Sequence, residues 1–472
     1  MQPRIEEVRH DAAALHRFID SIASGCKVAG DYPSYAESSS EFFNYIHSLG
    51  EKTKAYLAQF VNGLDPQIAV DDPQDFYDRA QIIRTLRLSW FELHKLVKPA
   101  LDADTLHVPF PLVDALTARL RMIPGFERVR FAVLHTNQLN YFQIGARSVR
   151  DFAAEIATIV PDAPEFPKDL GIIAHPYSQS SSVFLNIALA HEMGHFAFQE
   201  GAEADQIKPK IIKALKAATD GMTLGHRDPE WCRDRVLDWC EEIYCDLFAL
   251  WLVGPCFSFS FIELFALSRL ASGGVSTPIA SEAVFKDSHP AMAYRIGEHV
   301  RFLMTSELGW WERIKNKSAN GSNAETNHYV TLMTEAEGLP RGSFSFQSQF
   351  KPGLSKVVLD TFLEVSDEVS QVVKRALSSV PTEVSFFDDQ RTAIEKYLSF
   401  GVVPSRLVFP DGSVQIPKTL ALLNAANLFY LERLDQLILR IKGGRPTCLE
   451  CRALWAERVE LWTSKALEDI AS

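Results

Sequence analysis

The stretch that most constrains this chain is Ala190-His191-Glu192-Met193-Gly194-His195, an H-E-x-x-H pentad inside a run from Ser182 to Glu200 that reads as one helix. At about 100° per residue, positions four apart share a helix face, so the imidazoles of His191 and His195 can reach one ion. Glu192 stands beside them, where a carboxylate can take a proton from water activated by that ion. Val183, Phe184, Ile187, Ala188 and Ala190 make the run apolar nearly all round, the pattern of a helix buried in a core. Two histidines and a glutamate buried there need partners, and a single metal ion, Zn2+, serves all three. The serines of Ser178 to Ser182 offer N-cap residues, which would put the pentad two to three turns into the helix.

A catalytic zinc takes three protein ligands and keeps one position open, so a third ligand is expected after the pentad. The template with a further histidine requires Gly at 198 and His at 201; the chain has Phe198 and Gly201. A carboxylate is left. The predicted helix Trp231 to Leu252 is mostly apolar, yet Asp238, Glu242 and Asp246 recur every four residues along it. A carboxylate stripe on such a helix needs a cation, which makes Glu242 the expected ligand, with Glu241 and Asp238 as alternatives. In the E-x-x-x-D string that starts at Glu242, Asp246 is placed to orient a ligating histidine from behind.

A third string, Ser288-His289-Pro290 followed by Arg295-Ile296, reads S-H-P-x-x-x-x-R-I. Pro290 suits the first turn of a helix, which leaves His289 just outside it and turns Arg295 toward a different target, a carboxylate of the stripe. The succession H-E-x-G-H, E-x-x-x-D and S-H-P-x-x-x-x-R-I resembles the HtpX and CAAX prenyl-protease type of gluzincin metallopeptidase, over roughly residues 170 to 300. The resemblance implies zinc held by His191, His195 and Glu242, Glu192 as general base, and His289 with Arg295 as contacts to substrate or transition state. Membrane residence and prenylated substrates are not carried over. The one long apolar stretch, Leu247 to Ile262, is interrupted by Gly254-Pro255 and falls short of the roughly 20 residues a span needs. It reads as a buried helix or helix pair.

At 472 residues the chain exceeds one ordinary core. Its net charge of −12 argues against a sequence-independent nucleic-acid binder, which needs a basic surface. Seven scattered cysteines form no disulfide framework, and the charged start Met1 to Glu7 lacks the apolar core of a secretory signal, so a cytoplasmic location is expected. Apolar residues at three and four spacing predict helices over Asp11 to Ala23, Glu41 to Val61, Asp75 to Val97 and Leu112 to Met122. Strands are predicted at Val129 to His135, Leu139 to Ile144 and Leu170 to Ala174, the first two on either side of a turn-like Thr136-Asn137-Gln138. After the pentad come a surface connection with one short helix near Ile211 to Ala217, a flexible loop from Lys315 to Asn327, a hairpin at Leu407 to Val414, and helices at Asn424 to Ile441 and Leu454 to Leu467. His175-Pro176-Tyr177 reads as a plain loop. Cys448 and Cys451 form a lone C-x-x-C with no second pair, and Cys232, Cys240 and Cys245 read as small buried hydrophobes.

These readings combine into a mainly α (α+β) fold: a zincin-like metallopeptidase lobe with a small β-sheet at 126–300, between helical regions at 1–125 and 301–472. The expected activity is a zinc-dependent endopeptidase acting on a protein or peptide, without nucleic acid or membrane span, its helical flanks offering surfaces to a regulatory partner. The rival reading is a zinc-stabilised interaction or sensor protein whose H-E-x-x-H site is closed to substrate. An intact Glu192 favours the enzyme, because a purely structural site has no need of it.

Overall fold

The computed structural model describes residues 5–31, 37–64, 73–102, 110–136, 142–143, 146–176, 182–201, 203–271, 282–305, 310–312, 314–315, 324–377, 387–442 and 449–471. They are mainly helical, with three small sheets. The chain divides into two compact units, Met1–Val108 with Arg128–Ser178, and Pro109–Glu127 with Gln179–Ser472.

The first unit opens with three long helices, α1 (Ile5–Gly30), α2 (Glu37–Asn62) and α3 (Pro73–Asp102). Helix α4 (Phe110–Leu120) belongs to the second unit. All four were predicted; their ends differ by one to seven residues because the apolar period marks only the buried part of a helix. In α1 that part is Val8, Ala12, Leu15, Ile19, Ile22 and Cys26. Strands β1 (Arg130–Thr136) and β2 (Phe142–Gln143), helix α5 (Ala146–Ile159) and strand β3 (Leu170–Pro176) complete the unit. The strand order is β1-β3-β2, with β1 parallel to β3 from Arg130↔Leu170 to Thr136↔Pro176, and β2 antiparallel to it. β1 and β2 therefore lie on opposite sides of β3; the turn proposed at Thr136-Asn137-Gln138 falls largely outside the described residues. Parallel pairing of β1 with β3 requires a crossover, and α5 lies in that connection. The sequence reading missed α5, although Val149, Ala153, Ile156 and Val160 are buried at helical spacing. His175 and Pro176 end β3 and are not the loop expected there.

The second unit continues from α4 with α6 (Leu189–Glu200), α7 (Glu203–Ala218), α8 (Asp228–Val253), α9 (Cys256–Ala271), β4 (Val284–Phe285), α10 (Met292–Thr305), α11 (Ala324–Glu337), β5 (Ser345–Phe346), α12 (Ser355–Ala376), α13 (Phe387–Ser399), the antiparallel pair β6 (Leu407–Val408) and β7 (Val414–Gln415), α14 (Thr419–Lys442) and α15 (Leu449–Ala471). Two readings need correction. Helix α7 starts well before Ile211, because Ile207, Ile211, Ala214 and Leu215 give it a continuous buried face. The loop predicted to reach Asn327 yields to α11 at Ala324; residues 316–323 lie outside the described part, as does Cys448.

The apolar stretch after Asp246 is a helix pair. Gly254 has φ of 78°, a left-handed value that stops α8, and Asn424 of α14 closes the break. Its side-chain amide accepts the Cys256 N–H at 2.9 Å and donates to the Val253 carbonyl at 2.7 Å. No helix among the described residues is long and apolar enough to cross a membrane. Asn424→Ala strands the Cys256 N–H and leaves the Val253 carbonyl only the weak Cys256 thiol donor at 3.1 Å, and we expect a loss of about 1–3 kcal/mol. Urea unfolding of the two proteins checks this.

Candidate metal centre

The pentad enters its helix earlier than the apolar run suggested. Residues Leu185–Ala188 form a 3-10 turn and α6 begins only at Leu189, so His191 and Glu192 sit in its first turn. The local cause is Ser182, whose hydroxyl accepts the Leu185 N–H at 3.2 Å while its carbonyl takes the Asn186 N–H at 3.1 Å. Glu460 of α15 braces the same segment, accepting the Ser182 hydroxyl at 3.1 Å and the Val183 N–H at 3.2 Å.

Helix α6 packs on α8, and Gly194 sets how closely. A Cβ at Gly194 would stand 2.8 Å from the Cys245 Cα, so the two backbones meet where no side chain fits. That approach brings Glu242 up to the histidines. Its carboxylate oxygens lie 3.6 Å from His191 Nε2 and 3.7 Å from His195 Nε2. Taken together, one ligand atom from each of His191, His195 and Glu242 falls within 4.8 Å of the others, and the group can hold a metal ion. Tetrahedral bonds of about 2.1 Å would separate neighbouring ligand atoms by roughly 3.4 Å, near the two histidine–carboxylate distances, which run to different Glu242 oxygens, and tighter than the 4.8 Å limit of the three single atoms.

Behind the two rings stand two more carboxylates. His195 Nδ1 is 2.9 Å from Glu241 Oε1, and His191 Nδ1 is 2.9 Å from Asp246 Oδ1. Glu241, weighed from the sequence as an alternative ligand, thus faces the back of His195, with Gln199 donating to the same oxygen at 3.0 Å. Carboxylates at Nδ1 favour the tautomer that leaves Nε2 free as an acceptor, and both Nε2 atoms face Glu242. Asp238 leaves the stripe: its carboxylate pairs with Arg235 at 3.3 Å on the surface. Four residues advance a helix by about 400°, so each step drifts about 40° and two steps turn Asp238 away from Asp246.

Arg295, in the first turn of α10, is buried against both remaining carboxylates. Its Nε and Nη2 meet Asp246 at 2.7 and 2.8 Å, its Nη1 meets Glu242 Oε2 at 3.0 Å, and its guanidinium lies 4.7 Å from the Phe261 ring centroid. Burial alone would raise both carboxyl pKa values. Arg295 and the surrounding histidines together outweigh it, holding Glu242 below the usual range and Asp246 well below it.

His289 sits at the rim, about half exposed, with Nε2 3.7 Å from Glu242 Oε1 and Nδ1 2.7 Å from the Ser288 hydroxyl. Helix α10 starts at Met292, two residues beyond Pro290, so His289 belongs to a turn closed by the Lys286 N–H and His289 carbonyl at 3.0 Å. The parallel pair β4–β5 and a bond from Trp239 Nε1 to the Lys286 carbonyl at 3.1 Å anchor that turn. Glu192 is buried, and no hydrogen bond or ion pair engages its carboxylate among the described residues.

One participant escaped the sequence reading. His299 is fully buried four residues after Arg295, with Nε2 3.4 Å from Asp246 Oδ2. Its signal was a polar residue among Ile296, Val300 and Leu303, on the helix face already occupied by Arg295. Compared with models of known protein families, with curated proteins and with solved structures, the chain matches none.

Arg295→Met should cost about 3–5 kcal/mol, because it strands two buried carboxylates. The acid side carries its own sign. Asp246 titrates below its ordinary 3.8 when folded, so its contribution is complete above that pH and is lost as pH falls through the folded value. Acid unfolding of metal-free wild type should show this loss below about pH 4, and Asp246→Asn should flatten that limb.

Proposed function

We propose that the protein is a zinc-dependent endopeptidase of gluzincin type, working in the cytoplasm on an extended protein or peptide, with the catalytic machinery in residues 126–300. The observation that carries this reading is the convergence of His191 Nε2 and His195 Nε2 on Glu242, each ring backed by a carboxylate, beside a Glu192 whose carboxylate no hydrogen bond or ion pair engages among the described residues. A closed structural site has no use for that free glutamate.

His191, His195 and Glu242 would hold the ion, which when bound supplies a Lewis acid to polarise the scissile carbonyl and acidify water. The chain's own residues do the rest. Glu192 takes the proton from the attacking water and returns it to the leaving amine nitrogen. His289, half exposed with Nε2 3.7 Å from Glu242 Oε1, would hydrogen-bond the developing oxyanion. Arg295 spends three N–H groups on Asp246 and Glu242, so we assign it a positioning role instead of the substrate contact that the resemblance implied. Asp246 and Glu241 orient the two imidazoles.

About one zinc per chain is expected, falling sharply in His191→Ala, His195→Ala and Glu242→Ala; full zinc in the last would move the third ligand elsewhere. Glu192→Gln should keep zinc and fold while abolishing proteolysis, since the amide preserves shape but loses the basic lone pair. Comparing protein fragments in cells expressing each form tests this without a known substrate. Identical fragment patterns would favour the zinc-stabilised interaction protein. Once a substrate is found, His289→Ala should retain zinc and slow turnover about 10²-fold.

A further inference from the structure

Asp246 is a fully buried carboxylate with an unusually complete set of donors around it. An ionised carboxylate offers about four lone-pair sites. Arg295 fills one on each oxygen, Nη2 on Oδ1 at 2.8 Å and Nε on Oδ2 at 2.7 Å. Two nitrogens face the remaining sites, His191 Nδ1 at 2.9 Å from Oδ1 and His299 Nε2 at 3.4 Å from Oδ2. Both ring nitrogens are buried, and neither meets hydrogen-bond geometry with any group; the Asp246 oxygens are their nearest acceptors, at ion-pair distance.

An ionised Asp246 can only accept, so a neutral His299 carries its proton on Nε2 and leaves Nδ1 to accept from the far side. Ser258 Oγ lies 3.3 Å from His299 Nδ1, inside a buried pocket where the rings of Phe257 and Phe261 lie 5.4 and 5.0 Å from the imidazole. A hydroxyl donating to Nδ1 leaves the ring proton on Nε2, facing Asp246. With Oδ2 taken by Arg295 and His299, Oδ1 is left to accept from His191, whose Nδ1 must then carry the proton. The lone pair of His191 is thereby left on Nε2, the atom that faces Glu242.

We propose that His299 is a positioning residue of the metal centre: oriented by Ser258, it donates Nε2–H to Asp246 and so holds the carboxylate that fixes the ring and tautomer of His191. The inference rests on the metal-centre reading of His191, His195 and Glu242. It assigns His299 no contact with ion or substrate.

The test compares zinc affinity by chelator competition in the full-length wild type, His299→Phe, His299→Gln and Ser258→Ala, together with the visible spectrum of each protein loaded with Co2+. Phe fills the space without the donor, whereas Gln places an amide N–H near the Nε2 position. We expect His299→Phe to bind zinc about 10–100-fold more weakly with an altered cobalt spectrum, the usual loss when a group orienting a ligand is removed. His299→Gln should restore affinity to within about threefold, and Ser258→Ala should fall between the two. Filling of space alone predicts the opposite order, with Phe tolerated and Gln harmful. A His299→Phe protein that binds zinc like wild type overturns the proposal, as does a Gln variant as weak as Phe. If His299→Phe fails to fold, the Gln and Ser258→Ala proteins decide: wild-type affinity in Gln with a several-fold loss in Ser258→Ala supports it, and any other pattern overturns it. Wild type that binds neither zinc nor cobalt would instead overturn the metal-centre reading itself.

Discussion

The Asp246 carboxylate carries a full charge with none of its surface open to water, and the centre depends on how that charge is met. A lone buried carboxylate would take up a proton instead of staying ionised. Here the fork of Arg295 supplies two parallel charge-assisted bonds, and its third nitrogen ties Glu242 to the same cation. One guanidinium thus fixes two carboxylates one turn apart on α8. Because it takes Glu242 Oε2, the oxygen free of Arg295 is Oε1, the one that His195 and His289 approach.

That arrangement needs α6 and α8 to meet at backbone distance. With any side chain at position 194, contact with the Cys245 backbone would push the helices apart and carry both imidazoles away from Glu242. The middle of the pentad is therefore as constrained as its ends, by space instead of by chemistry. The break at Gly254 and its Asn424 clasp fix the far end of α8 from α14, and Glu460 of α15 grips the segment leading into α6. Both helices of the centre are thus held from the C-terminal part of the chain, some 170 and 280 residues away in sequence.

Much of this was legible in the sequence, because helices advertise themselves by period and Gly254-Pro255 by its composition. The pairing of His191 with His195 follows from four-residue spacing alone. What stayed hidden depends on contacts between elements. The carboxylate stripe of α8 looked continuous on paper, yet 40° of drift per step sends Asp238 to the surface and leaves Glu241 facing the back of His195. A hydroxyl competing for backbone N–H groups at Ser182 replaced a predicted helical turn with a 3-10 turn, a choice that apolar periodicity does not record. Helix α5 was passed over although its buried positions keep a regular 4-3-4 spacing, because only the parallel register of β1 and β3 makes a crossover there necessary. His299 was invisible for a related reason: its meaning lies in Asp246, 53 residues earlier, and in Ser258, 41 residues earlier.

The two imidazoles are not supported alike. His191 is held from inside, by a carboxylate with no exposed surface that is locked to Arg295 and, as we argue, to His299. His195 is held from outside, by Glu241, which keeps about a fifth of its side chain in water and shares its oxygen with the amide of Gln199. In low dielectric the first arrangement is strong while every donor is present and costly when one is missing; in contact with water the second can lose a bond and replace it with solvent. The inner histidine is therefore the more rigidly held of the two, and the outer one is the one that can shift against solvent.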